Sequence, residues 1–544
     1  MTRGKRRRRS PTFLIALVFA LALGARLIAR DVTITADEDN WMRRAGGFTY
    51  GLLNGQLGRT YQNGHPGVTT MWVATLTLGP ERIVQYADRV HNQRLVGRVA
   101  GFWDALVAAR LGFAVTTAAL VALIAALTWR LFGPGPGLLS GLIVGLDPFY
   151  LSISQLVHMD ALLSGCMVAS VLAVLVRWQA RGGRRWLILS GVLAGLALLS
   201  KVPALFLLVF VPMVGVVDAA CARRSPLPSR VLGGLGIDLA IWLLVFASTI
   251  VALWPAIWVL GPAEVLGRMA QFTRETGGQP HEAGTFFWGE PRTDPGPLFY
   301  PVALAFRLAP LTILGMLLLV AFRRSLRPDL RSGALVLGVY VGGFLLMMTL
   351  GAKKFDRYLL PAVPALGVLA AVGLSHALWV LPLRTADHRL YRVPPRAVGL
   401  GVAVALLVWP LVSSSPYFLA YYNPLMGGGA AAQRTVMVGN GEGLDQVARW
   451  LNNRPSSENL WVASHSFDIL QPLFVGSGEP LRDRVPSDAD YVVLYRFQMQ
   501  IGQSPRVLAE YVGQREPELS VWIGGIEYAR VYRGPHLAAA DSRQ

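Results

Sequence analysis

Residues 11–39 read PTFLIALVFALALGARLIARDVTITADED. An apolar run from Pro11 to Ile28 stands between a basic start and an acidic cluster, Asp37-Glu38-Asp39. Six Lys and Arg residues lie within Met1–Arg9. Cations are retained on the cytoplasmic side of a membrane, so a span over this run exits outward and sets the three acids at the outer face. A cleaved signal peptide is the competing reading. The apolar stretch is long for one, no small-x-small site follows it, and later spans would insert regardless.

The rest of the chain repeats the pattern. Its 544 residues are 53% hydrophobic and 15% charged, with a mean hydropathy of +0.44. A soluble protein of this size is less apolar, so the composition predicts a polytopic α-helical membrane protein. Eleven spans are expected, near 11–30, 108–131, 136–155, 161–178, 186–200, 203–220, 233–254, 298–321, 333–351, 358–380 and 398–414. Arg130, Arg177, Arg184, Arg223, Arg323 and Arg384 lie in loops this order puts in the cytoplasm, as the charge rule requires. Most of the net charge of +19 sits in such loops, so it does not argue for a nucleic-acid partner. The two cysteines, Cys166 and Cys221, lie in or at the end of apolar spans and offer no disulfide framework.

This order divides the chain. A basic cytoplasmic start covers 1–10 and a transmembrane domain 11–414. An outer loop at 31–107 has the composition of short interfacial helices, and a second outer loop covers 255–297. Beyond the spans, 415–534 reads as a small extracytoplasmic α/β domain. Its expected strands are near 459–463, 491–495 and 527–532, and its helices near 444–452 and 505–512. Residues 535–544 read as a disordered end. There is no convincing internal repeat, which counts against an inverted-repeat transporter.

Several ionisable residues collect on the outer side. Asp37 and Glu38 alone would be ordinary loop charges. Their loop also holds His65 in the turn Tyr61-Gln62-Asn63-Gly64-His65-Pro66-Gly67. A carboxylate at a water-poor interface can act as general base on a hydroxyl. His158 and Asp160 stand at the junction of spans three and four, where charge is costly and usually marks function or pairing. Lys201 interrupts two short apolar stretches. Lys353, Lys354 and Arg357 crowd a short outer loop with Tyr358, against the charge bias, and Arg110 opens span two. A lipid phosphate at the outer face accounts for such a group of cations. His281, Glu282 and Glu290 could join Asp37 or Asp160 around a divalent metal, an option only, because their spacing matches no closed metal motif.

In order and spacing these pieces resemble the membrane glycosyltransferases of the GT-C fold that use polyprenyl-phosphate sugars. The pattern is similar to that of the protein O-mannosyltransferases and the lipid A aminoarabinose transferases. Asp37-Glu38, His65-Pro66, Arg110, Leu131-Phe132-Gly133, Asp160, Lys201 and Lys354-x-x-x-Tyr358-Leu359-Leu360-Pro361 come in the family's order. Tyr422-Asn423-Pro424-Leu425 and Gly439-Asn440-Gly441-Glu442-Gly443-Leu444 follow. The family often has His-Pro-Pro where this chain has His65-Pro66-Gly67, so neither branch is assigned.

The resemblance implies a polyprenyl-phosphate sugar donor, a protein, lipid or glycan acceptor, and catalysis at the outer face of the cytoplasmic membrane. It also implies Asp37 as catalytic base, with inversion at the anomeric carbon. The alternatives are a lipid-linked sugar flippase or transporter, and a polymer ligase or oligosaccharyltransferase-like enzyme.

Overall fold

The computed structural model describes residues 11–32, 34–92, 101–221, 229–280, 284–380 and 395–541. It is mostly helical. Six described helices are long and apolar enough to cross a membrane: Phe102–Phe132, Asp160–Trp178, Val202–Ala220, Gly233–Leu253, Pro328–Thr349 and Asp356–Val380. Counting each sharply bent helix pair as one span raises the number to nine. Two other expected spans fall on Thr12–Leu27 and Arg185–Ser200, of 16 residues each. At 1.5 Å per residue, such helices are short against a hydrocarbon core of about 30 Å.

The bends occur where proline or a capping residue interrupts a hydrophobic run. Phe299–Arg307 and Pro310–Phe322 meet at 112°. Pro310 lacks an N–H and biases Ala309 towards extended backbone, so one helix ends and another begins. Pro134–Gly145 and Pro148–Ser154 meet at 63°. There Asp147 caps the second helix by accepting the Tyr150 N–H at 2.9 Å.

Burial separates central from peripheral helices. Asp160–Trp178 is 94% buried over its apolar window and Asp356–Val380 is 89% buried, whereas Gly233–Leu253 is 17% buried. The two central helices begin at one end of the bundle, so the buried Asp160 and the partly exposed Arg357 are set together at that end. Small residues bring the helices close. A Cβ on Gly373 would lie 2.1 Å from the Gly315 carbonyl oxygen.

Short helices cover this same end. Ala36–Leu53, Val68–Leu78 and Pro80–Asn92 form the expected helical loop. Pro262–Gly277 and a small hairpin, Thr285–Phe287 with Glu290–Arg292, form the second. Past the last apolar helix lies a five-stranded sheet in the order Ser477–Pro480, Trp461–Ser464, Tyr491–Tyr495, Ile526–Arg533, Leu519–Ile523. The first three strands are parallel and the last two pair antiparallel. Tyr491–Tyr495 is buried along its whole length. Where a disordered end is expected, Pro535–Asp541 is helical, opened by proline and held by His536 Nδ1 at 2.6 Å from Asp490 Oδ1.

Candidate active site

The site is built on the start of helix Ala36–Leu53. Thr35 and Glu38 form a capping box, in which Glu38 accepts the Thr35 N–H at 3.1 Å. Glu38 also accepts two bonds from Arg110, at 2.8 and 2.6 Å, and the Val157 N–H at 3.0 Å. Arg110 further donates to the Arg30 carbonyl oxygen. Both side chains are buried. Glu38 was expected as a catalytic group and Arg110 as a phosphate ligand. The two instead bind each other and nearby backbone groups, and the pair locks the helix start onto Phe102–Phe132 and the segment carrying His158.

That lock leaves Asp37 projecting one residue away. Its Oδ2 lies 3.0 Å from Arg357 Nη1 and 3.5 Å from His158 Nε2. His158 Nδ1 accepts the Asp160 N–H at 3.2 Å, so a neutral ring carries its proton on Nε2, facing Asp37. Asp160 Oδ1 accepts from Lys201 Nζ at 2.8 Å. The result is an alternating chain, Lys201–Asp160–His158–Asp37–Arg357. The Arg357 guanidinium holds Asp37 well below the usual carboxylate range, against the opposing effect of burial. Asp39 is turned elsewhere, to Arg43 at 2.9 Å and the Tyr86 hydroxyl at 3.0 Å.

Two cavities meet at this chain. The smaller, about 270 Å³, is lined by Asp37, His158, Arg357 and residues of the sheet region, including Gly439-Asn440-Gly441. The larger, about 460 Å³, is lined by His65, Asp160, Lys201, Lys353, Arg357 and Tyr358 against apolar side chains such as Leu205, Phe344 and Met347. Among the described residues Arg357 alone lines both. Lys201 sits 4.3 Å above the Tyr358 ring, a cation–π contact that fixes its ammonium. Lys353 has no carboxylate partner among the described residues. Burial lowers the His65 pKa to about 3, so the ring is neutral, edge-on to Phe272.

Other expected members lie elsewhere. Lys354 donates to Asp294 at 2.8 Å and to the Gly351 carbonyl oxygen at 2.7 Å, and lines neither cavity. Glu290 is exposed and 3.3 Å from Arg292. His281 and Glu282 fall outside the described residues. Among the described residues no group of three His, Cys, Asp or Glu side chains gathers as a metal site.

The sequence reading missed three contributors. Arg274 lines the larger cavity from helix Pro262–Gly277. Arg44 interacts electrostatically with Asp37. It lies two turns along the same helix face, a spacing readable from the sequence. Arg307 binds Asp356, the neighbour of Arg357, at 2.6 Å.

Residues 92–253 match the family model described as dolichyl-phosphate-mannose-protein mannosyltransferase. That match covers less than a third of the chain and points the same way as the resemblance read from the sequence. Among solved structures, ArnT from Cupriavidus metallidurans in the apo state is similar at 14% identity, covering 96% of this chain and 98% of that one, with a TM-score of 0.47. The apo oligosaccharyltransferase of Archaeoglobus fulgidus is similar at 12% identity over 93% and 73%, with a TM-score of 0.46. The protein O-mannosyltransferase complex of S. cerevisiae bound to its sugar donor is similar at 15% identity over 52% and 40%, with a TM-score of 0.38. No curated protein sequence is similar enough to match.

Proposed function

We propose that this chain transfers a sugar from a polyprenyl-phosphate donor to an acceptor at the outer face of the cytoplasmic membrane, with Asp37 as general base. The observation that carries this is the position of Arg357 between the two cavities. On one side it meets Asp37, and on the other it joins Lys201 and Lys353 beside an apolar wall. The donor phosphate lies against those three cations, with its lipid along the apolar wall. Asp160 and Tyr358 hold Lys201, and His158 and His65 border the phosphate and base. Glu38 and Arg110 set the helix start.

The acceptor approaches through the smaller cavity. Asp37 takes its hydroxyl or amide proton as the acceptor atom bonds to the anomeric carbon. The bond from that carbon to the phosphate oxygen breaks, and polyprenyl phosphate leaves with the electron pair. The cations stabilise the charge that develops there, so no strong general acid is needed. One displacement inverts the centre. In this scheme the eleven spans put the sheet region, 415–534, outside the cell, where it forms one wall of the acceptor cavity.

The test is sugar transfer by purified full-length protein from polyprenyl-phosphate hexoses and pentoses. Asp37→Asn is expected to slow transfer at least ~10²-fold, the usual scale for losing a general base. Full activity in that variant removes Asp37 as base. Donor binding without turnover, across all donors, favours a transporter.

A further inference from the structure

Arg357 is committed on one edge and uncommitted on the other. Nη1 lies 3.0 Å from Asp37 Oδ2. Nε is buried without a hydrogen-bond partner, 3.9 Å from an Asp160 Oδ2 that also has none. At that separation the two groups face each other without bonding. Asp160, on this open side, lines the larger cavity, where Lys201 has one bonded carboxylate and Lys353 none among the described residues.

A phosphate in the larger cavity therefore meets one point-charge cation already paired with a carboxylate, one with no carboxylate partner among the described residues, and two planar guanidiniums, Arg274 on helix Pro262–Gly277 and Arg357 between the cavities. Guanidinium binds phosphate best through two parallel N–H donors. In Arg357, Nε and one terminal nitrogen make such a fork, and Nε is the donor left unused. Nε is buried, so presenting that fork to a phosphate requires the guanidinium to turn, which carries Nη1 off Asp37. We infer that Arg357 couples the two cavities: a lipid phosphate in the larger one competes with the Asp37 carboxylate for its guanidinium, so that donor binding releases Asp37 to act as base. This inference rests on the lipid-phosphate reading above.

The consequence is an order of events. With no donor bound, Asp37 faces Arg357, the His158 Nε2, and the fields of Lys201 and Arg44, and is a poor proton acceptor. An acceptor, or water, in the smaller cavity alone is not deprotonated. With the phosphate in place, the carboxylate loses its strongest counter-ion and its basicity rises. The coupling is reciprocal by linkage: whatever removes the Asp37 charge must tighten phosphate binding. After transfer the leaving polyprenyl phosphate still holds Arg357, and its departure returns the guanidinium to Asp37.

Binding of undecaprenyl phosphate to the purified full chain in detergent tests this without turnover, with undecaprenol as the uncharged control. Asp37→Asn is expected to tighten binding about 5-fold or more, the lower end of ordinary coupling between sites. Asp37→Ser, a second variant without the carboxylate, behaves the same way if the side chain alone matters. Asp37→Glu stays near wild type. Arg357→Gln weakens binding, and Asp37→Asn/Arg357→Gln binds no more tightly than Arg357→Gln. Unchanged or weaker binding in both Asp37→Asn and Asp37→Ser overturns the coupling. So does tightening that persists without Arg357, because the effect is then plain charge removal. A wild-type protein that does not distinguish the phosphate from the alcohol overturns the lipid-phosphate reading itself, and the coupling with it.

Discussion

At the scale of single residues, adjacent carboxylates do different work because their neighbours differ. Glu38 is enclosed with a bidentate arginine, so removing one partner strands the other's charge in a buried site. Glu38→Ala and Arg110→Ala are each expected to cost about 3–5 kcal/mol of stability. The double variant should cost much less than the sum, measured as unfolding in detergent across a double-mutant cycle. Additive losses would show that the two side chains act separately.

His65 makes a pH prediction. Its pKa falls from 6.5 to about 3 because burial disfavours the charged ring. Between those values the unfolded chain binds a proton that the folded chain refuses, so stability falls as pH drops from about 6.5 towards 3. Thermal unfolding at pH 7 and pH 4.5 should show a smaller acid loss in His65→Gln than in wild type. An equal loss in both would mean that His65 is not the group responsible. The sequence placed Asp37, His158, Asp160, Lys201 and Arg357 on one side of the membrane, and the structure gathers these five. It could not show that Glu38 and Arg110, 72 residues apart, bind each other. Topology assigns a side of the membrane and says nothing of pairing, so an arginine among acids reads as free for phosphate.

At the scale of elements, hydropathy located the six long apolar helices among the described residues and the three bent pairs, but not the breaks in those pairs. Pro310 and Pro148 were visible in the sequence, yet a sliding apolar average runs straight through them. In the sheet, Tyr491–Tyr495 was legible to the residue because an unbroken apolar run rich in β-branched and aromatic residues suits a strand buried on both faces. Ser477–Pro480 was not legible. Its Ser-Gly-Glu-Pro sequence has no strand preference, and it is extended because it lies parallel to Trp461–Ser464. A Cβ at Gly478 would come within 2.0 Å of the Val462 carbonyl oxygen.

The turn before helix Val68–Leu78 allows a sharper test. Gly67 has a φ of +59°, and a Cβ there would lie 2.0 Å from the ring of the buried Trp41. Gly67→Ala combines left-handed strain of about 1–2 kcal/mol with displacement of a core indole on the Asp37 helix. A lower unfolding temperature together with reduced transfer is expected. An unperturbed melting curve would show that the helix does not depend on this contact.

At the scale of the molecule, one arginine joins the bundle, the cation loop and the approach to the sheet. Arg307, at the bend between two apolar helices, donates to Asp356 at 2.8 and 2.6 Å. It also donates to the Leu419 and Tyr421 carbonyl oxygens, each at 2.8 Å, and to the Tyr422 hydroxyl at 2.9 Å. Asp356 in turn accepts the Arg357 N–H at 2.7 Å. Asn423 extends the link by donating to the Ala305 and Phe306 carbonyl oxygens at 3.0 and 2.7 Å. From there the chain runs to Gly441, whose Cβ position lies 2.1 Å from the Ile34 carbonyl oxygen, three residues before Asp37. Both walls of the smaller cavity are thus referred to one guanidinium. Arg307→Met removes five donated bonds and leaves Asp356 unpaired beside Arg357, a loss of about 3–5 kcal/mol if the site stays dry. The bundle helices do not depend on it, so circular dichroism should retain the helical signal. Limited proteolysis should instead cut faster between residues 414 and 428, and transfer should fall more than donor binding, because the acceptor wall is displaced while Lys201 and Lys353 stay in place. If cutting and transfer both match wild type, the two walls are held by other contacts and Arg307 is not the link.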